Sequence, residues 1–317
     1  MKEQSMPHQA PRLWFAAARL QPLMILGLTA IYALCFTAIK AGLVFAPPLR
    51  FAGLRALLAG AALLGLMVAL HRPLLPPRRS WPWIAAVALT ATTLAYGAMF
   101  LSPGQTGTGI ASVLGNTQPV IVPMLAAIFL GERMTRGTWI ALALGMAGVT
   151  LIASAAFAGP EAYGITGPLL ALAASGGLAV STIIVKRMQP QIDVLTLSAW
   201  QLIVGSLPLL AVSAVAEPRS AIIWSGVFIA LLLFLALIGT ALANTIWYWL
   251  IRREDVGRLT LCFFLVPVFG LGIGALAFGE TIGPREGVGV ALLLASIGAV
   301  AWEAWRDRPR VPTGAIP

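Results

Sequence analysis

Apolar residues in this chain run in long unbroken stretches, and the breaks between them are short and rich in Pro, Gly or charge. A helix crossing ~30 Å of hydrocarbon at 1.5 Å per residue needs about 20 apolar residues. Ten segments reach that length: 22–44, 48–70, 81–101, 106–130, 137–157, 165–186, 194–215, 224–251, 257–278 and 285–305. The connectors include HRPLLPPRRS at 71–80, GERMTRG at 131–137, KRMQPQID at 186–193, AEPRS at 216–220 and RREDVGR at 252–258. None is long enough to hold a soluble domain. A spanning β-barrel would alternate apolar and polar positions, and these runs do not. The pattern predicts an all-α membrane protein with ten transmembrane helices, an N-terminal segment at 1–21 and a C-terminal tail at 306–317.

Composition agrees. Hydrophobic residues make up 59% of the 317 and charged residues 10%, against about 25% charged in soluble domains. The net charge of +10 comes from scattered basic residues, without a stripe or a nucleic-acid-binding motif, so no nucleic-acid partner is expected. It reads instead as topology. With the N-terminus in the cytoplasm, the inner segments hold Lys2, Arg12 and Arg19; Arg72, Arg78 and Arg79; Arg133 and Arg136; Lys186 and Arg187; Arg252, Arg253 and Arg258; and Arg306, Arg308 and Arg310. The outer loops hold only Arg219 and Arg285. This asymmetry places both termini inside. Cys35 and Cys262 lie in apolar runs and form no disulfide or metal spacing, and the first 20 residues lack the apolar core of a signal peptide. No cofactor or metal is expected.

The halves resemble each other. QPVIVPMLAAIFLGE at 118–132 is matched by VPVFGLGIGALAFGE at 266–280, each with a proline thirteen positions before a glutamate: Pro119 before Glu132, and Pro267 before Glu280. Lys40 precedes Glu132 by 92 residues and Lys186 precedes Glu280 by 94. Arg55 and Gln201 each lie fifteen residues after those lysines. Five segments per half would invert the second repeat, 165–305, relative to the first, 22–157, as in alternating-access transporters.

These residues resemble the EamA family of the drug/metabolite transporter superfamily, over about 22–303. YALCFTAIK at 32–40 is similar to the family's WGsnfvaiK, with Tyr32 and Ala33 for Trp and Gly. FAGLRALLAG resembles its Arg-containing second helix, with Arg55 at the arginine. PMLAAIFLGERMT, GTALANTIWYWLIRRE and FLVPVFGLGIGALAFGE are similar to helices 4, 8 and 9. The sixth segment departs: SGG at 175–177 stands where many members have a tryptophan, which bears on cavity shape. The resemblance implies a ten-helix permease that exports small metabolites such as amino acids, and a cavity lined by helices 1, 3, 4, 6, 8 and 9.

Polar groups in hydrocarbon are costly unless paired or wetted, so they mark candidate sites. The substrate-cavity candidates are Tyr32, Tyr96, Asn116, Gln118, Trp200, Gln201, Thr240 and Asn244. The same side chains also serve as glue between helices. Pro119, Pro123 and Pro267 are expected to kink their helices. Lys40, Arg55, Glu132, Lys186 and Glu280 read as gate or helix-end residues within snorkelling reach of the interface. None of the eleven acidic residues falls in the middle of a segment, so a midplane proton or sodium carboxylate has no candidate.

The expected partners are a small-molecule substrate and the lipid bilayer, the chain acting as a monomer or homodimer in the plasma (inner) membrane. His8 and His71 lie outside the segments, and no HExxH, GxSxG or intramembrane aspartate pair is present, so an enzyme lacks its parts. The alternatives are import of a small metabolite or vitamin, or a non-transporting membrane scaffold packed through Gly270 and Gly274.

Overall fold

The computed structural model describes residues 10–102, 114–115, 117–154, 165–188, 192–218, 222–278 and 283–306. Side chains are described for the same residues except 10–20, 153, 274, 277–278 and 304–305. Among the described residues all regular structure is helical. Helix α1 spans Ala10–Gly42, α2 Pro48–Ala69 and α3 Arg78–Leu101. Helix α4 spans Gln118–Leu130, α5 Arg136–Ser154, α6 Thr166–Arg187 and α7 Val194–Ala216. Helix α8 is Gly226–Ile251. Helix α9 joins Val256–Leu261 to Leu265–Phe278 through a 3-10 turn at Cys262–Phe264, and α10 is Pro284–Arg306.

Eight of these helices are long and apolar enough to cross a membrane, while the described parts of α4 and α5 are shorter apolar helices. Residues 106–113, 116 and 155–157 of the expected segments lie outside the described residues. Helix α1 begins at Ala10, not near residue 22. Hydropathy marks where a helix enters lipid, and the helix-forming run before Pro22 extends it further.

The three prolines act differently from simple kinks. Pro119 lies in the first turn of α4, after a break at Thr117, where a missing N–H costs nothing. Pro123 is carried inside α4. Pro267 sits just past the 3-10 turn at Cys262–Phe264. That tighter turn takes up the clash a proline ring makes with the carbonyl four residues earlier. Two wider irregularities carry no proline: α3 is π-helical over Ala88–Leu94 and α8 over Phe234–Leu242.

Helix α2 packs closely on α7, and α5 on α10. Helix α4 packs on α6 and on α9, α1 on α9, α3 on α6 and α7, and α8 on α1 and α2. One apolar cluster joins α1, α2, α3, α7 and α8 through residues such as Phe51, Phe100, Leu202 and Phe228. A second joins α1, α3, α4, α6, α7, α8 and α9, and a third packs Leu142, Phe264 and Leu293 between α5, α9 and α10. Large apolar side chains such as Leu66, Ile128, Leu207, Val215 and Leu276 remain exposed on the outside, the arrangement expected where the solvent is lipid.

The α2–α7 contact depends on small residues. A Cβ on Gly60 would stand 2.6 Å from Ile203 Cγ1 and 2.9 Å from the Ala199 carbonyl oxygen. Backbone cannot yield as a side chain can. Gly60→Ala should therefore destabilise the protein by about 1–3 kcal/mol. Gly65, which has no neighbour within 4 Å, should tolerate the same change. Thermal unfolding of both variants in detergent checks this; equal midpoints would mean the two helices are further apart.

Candidate functional site

A polar cluster crosses between the halves where α1, α2, α3 and α8 meet. Its centre is Arg55, eight residues into α2 and 3% exposed. The guanidinium turns inward instead of snorkelling to an interface, so the helix-end expectation for this residue is corrected. Its Nε donates to Thr240 Oγ1 at 2.6 Å and its Nη2 to the Gly239 carbonyl at 3.1 Å. Thr240 in turn donates to the Leu235 carbonyl, five residues back, at 2.8 Å. All three α8 residues belong to the π-helical segment, whose wider turn lets a side chain from a neighbouring helix bond main-chain groups. Arg55 Cζ lies 5.0 Å from the Tyr96 ring centroid and 5.8 Å from that of Phe100, within cation–π range.

The neighbours of Arg55 extend the cluster. Asn244 Nδ2 donates to the Tyr96 hydroxyl at 3.4 Å, joining α8 to α3. A side chain on Gly239 would collide with Cys35 Sγ, so the glycine lets α1 approach the wide turn. Tyr32 meets Phe263 edge-on at 5.5 Å, and Phe263 packs on Trp247 at 4.7 Å, which brings α9 in. Of the sequence candidates, Tyr32, Tyr96, Thr240 and Asn244 are therefore brought together with Arg55.

Gln201 occupies a matching place in the other half. It is fully buried, and its Oε1 accepts from Thr92 Oγ1 at 2.6 Å. Thr92 lies in the π-helical segment of α3, as Thr240 lies in that of α8. Gln118 is buried at the start of α4. Trp200 departs from the cavity expectation: its Nε1 donates to the Leu74 carbonyl at 2.7 Å and its ring meets Trp81 edge-on. It fastens the loop between α2 and α3, because a tryptophan near a helix end satisfies its N–H with nearby exposed backbone. Asn116 and Glu280 lie outside the described residues.

The charged residues at helix ends cap backbone. Gly131 ends α4 in the left-handed region at φ 70°. That reversal turns Glu132 toward α9, where its carboxylate accepts from the Val256 and Gly257 amides, both at 2.9 Å. Lys186 donates to the carbonyls of Ile251, the last residue of α8, and of Glu254 beyond it, at 2.9 and 2.8 Å. Lys40 is exposed near the end of α1. Glu217, which the sequence left without a role, accepts from the Leu49 and Arg50 amides at the start of α2. Arg252, in the loop after α8, has its proton affinity lowered by burial, with Asp193 opposing. A groove of about 600 Å³ lined by Arg72, Pro73, Leu75, Ile192, Asp193 and Thr196, among others, shares no residue with the central cluster.

The apolar helices and lipid-facing exterior define a multi-pass membrane protein. The chain belongs to the EamA-like transporter family, which it matches over residues 20–154 and 165–302, within the drug/metabolite transporter superfamily. The two matches bear out the family resemblance, and members of this family are transporters rather than enzymes. YvbV, an uncharacterized transporter of Bacillus subtilis, is 32% identical over 81% of this chain and 84% of its own length. A probable amino-acid metabolite efflux pump of Salmonella typhimurium is 29% identical over 84% of this chain and 90% of its own. A protein of the same description from Escherichia coli is 26% identical over the same shares. A solved crystal structure at 18% identity superposes with a TM-score of 0.77 over 93% of this chain and 99% of that one, a likeness of fold.

The caps make a prediction. Glu132→Ala leaves two amide donors at the start of α9 without their acceptor and should cost about 0.5–2 kcal/mol. Arg133→Ala, at an exposed position beside it, should leave the unfolding midpoint in place. Differential scanning fluorimetry of the two variants compares them directly.

Proposed function

We propose that this chain is a secondary transporter that exports amino acids or related small metabolites by alternating access, without ATP. It works in the plasma (inner) membrane, as a monomer or homodimer, with ten spans and both termini cytoplasmic. The reading makes 22–157 and 165–305 two inverted five-helix repeats. The observation that carries it is the polar cluster held between helices of both halves: Arg55 and Tyr96 come from the first, Thr240 and Asn244 from the second. A polar centre at the junction of repeats is where transporters of this kind bind cargo.

The helix packing supports the repeat. Exchanging α1–α5 with α6–α10 turns the α1–α9 contact into α6–α4, α3–α7 into α8–α2, and α3–α6 into α8–α1, and leaves α2–α7, α4–α9 and α5–α10 unchanged. Each of these pairs occurs. Lys40 corresponds to Lys186 and Glu132 to Glu280 under the same exchange. Export of amino-acid metabolites is supported by the descriptions of the Salmonella and Escherichia relatives. The basic residues between α2 and α3, α4 and α5, and α8 and α9 support a cytoplasmic position for those connectors.

Two measurements test this. With Cys35 and Cys262 replaced by alanine, a cysteine at Arg78 or Arg253 should resist an impermeant thiol reagent in intact cells, while one at Glu161 or Arg219 should react; the opposite labelling would overturn the orientation. In cells loaded with amino acids from hydrolysed peptides, expression should speed efflux. Tyr96→Ala and Asn244→Ala should each lower that rate at least about tenfold at unchanged surface expression, the size of losing one well-placed contact. Efflux unaffected by both changes would remove the central cluster from the transport path, and accumulation in place of efflux would reverse the direction.

A further inference from the structure

Arg55 carries more hydrogen-bonding capacity than the protein uses. Nε and Nη2 are occupied by Thr240 and Gly239, but Nη1 is buried and has no acceptor among the described residues. No ion pair to Arg55 is formed among those residues; Arg72 and Asp193 pair at the loop end instead. A guanidinium stays charged in a protein. One buried without a counter-charge and with an unmet donor is costly, because neither water nor a protein anion compensates for lost hydration. The aromatic faces of Tyr96 and Phe100 offset part of that cost, and they cannot accept the Nη1 protons in plane.

The chemistry that completes this arrangement is specific. A planar guanidinium with an open nitrogen matches a carboxylate, whose two oxygens accept from its fork and whose charge cancels its own. We propose that Arg55 Nη1 anchors the carboxylate of the transported molecule. This rests on the transporter reading and narrows its cargo to metabolites bearing a carboxylate, with the corresponding amides and decarboxylated amines excluded. Gly239 and Thr240 hold the guanidinium in place from the side away from Nη1, so the anchor is fixed by the π-helical segment of α8. The amide of Asn244 and the hydroxyl of Tyr96, bonded to each other beside the guanidinium, are the neighbouring polar groups that meet the rest of the cargo.

A purely structural arginine would fasten α2 to α8 and have no bearing on cargo charge. The test therefore reads the ratio of acid to amide transport. Purified full-length protein in proteoliposomes is offered leucine, phenylalanine, alanine and threonine, each beside its amide and its decarboxylated amine. The acids should leave preloaded vesicles at least about tenfold faster than the amides or amines, as expected for one hydrogen bond to a charged group. Arg55→Gln should bring the acids down to the amide rate, and Arg55→Lys should raise KM for the acids with kcat nearly kept. Thr240→Val, which removes the Nε partner and leaves Nη1 in place, should keep the preference for acids even if its rate falls. Amides moving as fast as acids would overturn the anchor and leave the transporter reading intact. So would an Arg55→Gln variant that still prefers acids. If Arg55→Gln fails to fold, the wild-type ratio and Arg55→Lys decide: a wild type without preference for acids, or an Arg55→Lys variant whose KM for the acids is unchanged, would assign Arg55 a fastening role only. Wild-type vesicles that move none of the compounds would count against the amino-acid export reading itself, and the anchor would fall with it.

Discussion

A full positive charge sits inside an apolar bundle with no carboxylate beside it among the described residues, and much of the central packing is organised around holding it there. Arg55 is held on one side by a carbonyl and a hydroxyl of α8 and on the other by two aromatic faces of α3. Removing an ion from water costs several kcal/mol even after relaxation, so each of these contacts has to be in register with the others. The wide turn at Phe234–Leu242 brings Gly239 and Thr240 to the guanidinium. The absence of a side chain on Gly239 then admits Cys35 of α1 to the same spot. An arginine in one half thus determines how closely three helices of both halves approach.

The same constraint acts at the helix ends. Unpaired amides at a helix start and unpaired carbonyls at its end are expensive where water is scarce. Charged side chains from sequence-distant helices meet them: Glu132 at the start of α9, Glu217 at the start of α2, Lys186 at the end of α8. The glycine before Glu132 acquires a physical meaning in this setting. Only a left-handed residue ends α4 and at once turns the next side chain onto its neighbour. The Glu132 and Glu217 tethers cross between the halves, so they fasten the repeats to each other as well as finishing individual helices, while Lys186 ties two helices of the second half.

Between the polar centre and the capped ends, contact is made by small residues. Gly60 lies against the backbone of α7, and Gly148 and Gly289 lie against each other's carbonyls between α5 and α10. Lipid is as apolar as a leucine side chain, so close van der Waals approach, rather than escape from water, holds such helices together. This permits one architecture to persist at low identity: the solved structure with a TM-score of 0.77 shares 18% of its residues with this chain.

The sequence by itself determined the helical class, the membrane and the family, because these depend on properties local to each stretch. Twenty apolar residues in a row make a helix in lipid whatever surrounds them, and the repeated Pro-to-Gly-Glu pattern and the EamA motifs are written contiguously. It also brought Tyr32, Tyr96, Thr240 and Asn244 forward, since a polar group in an apolar run is visible without a structure. What it could not decide was direction and partnership. Arg55 read as a helix-end residue because its acceptors lie 184 and 185 residues further along the chain. Trp200 read as intramembrane although its partner is the Leu74 carbonyl in a loop. Gln201 and Thr92 gave no sign of each other across 109 residues. The π-helical turns at Ala88–Leu94 and Phe234–Leu242 leave no mark in hydropathy, because widening a turn by one residue changes which groups face a neighbour and not how apolar the stretch is. Only the tertiary structure settles which polar group faces which, because a buried donor takes whatever acceptor the packing of other helices brings within 3 Å.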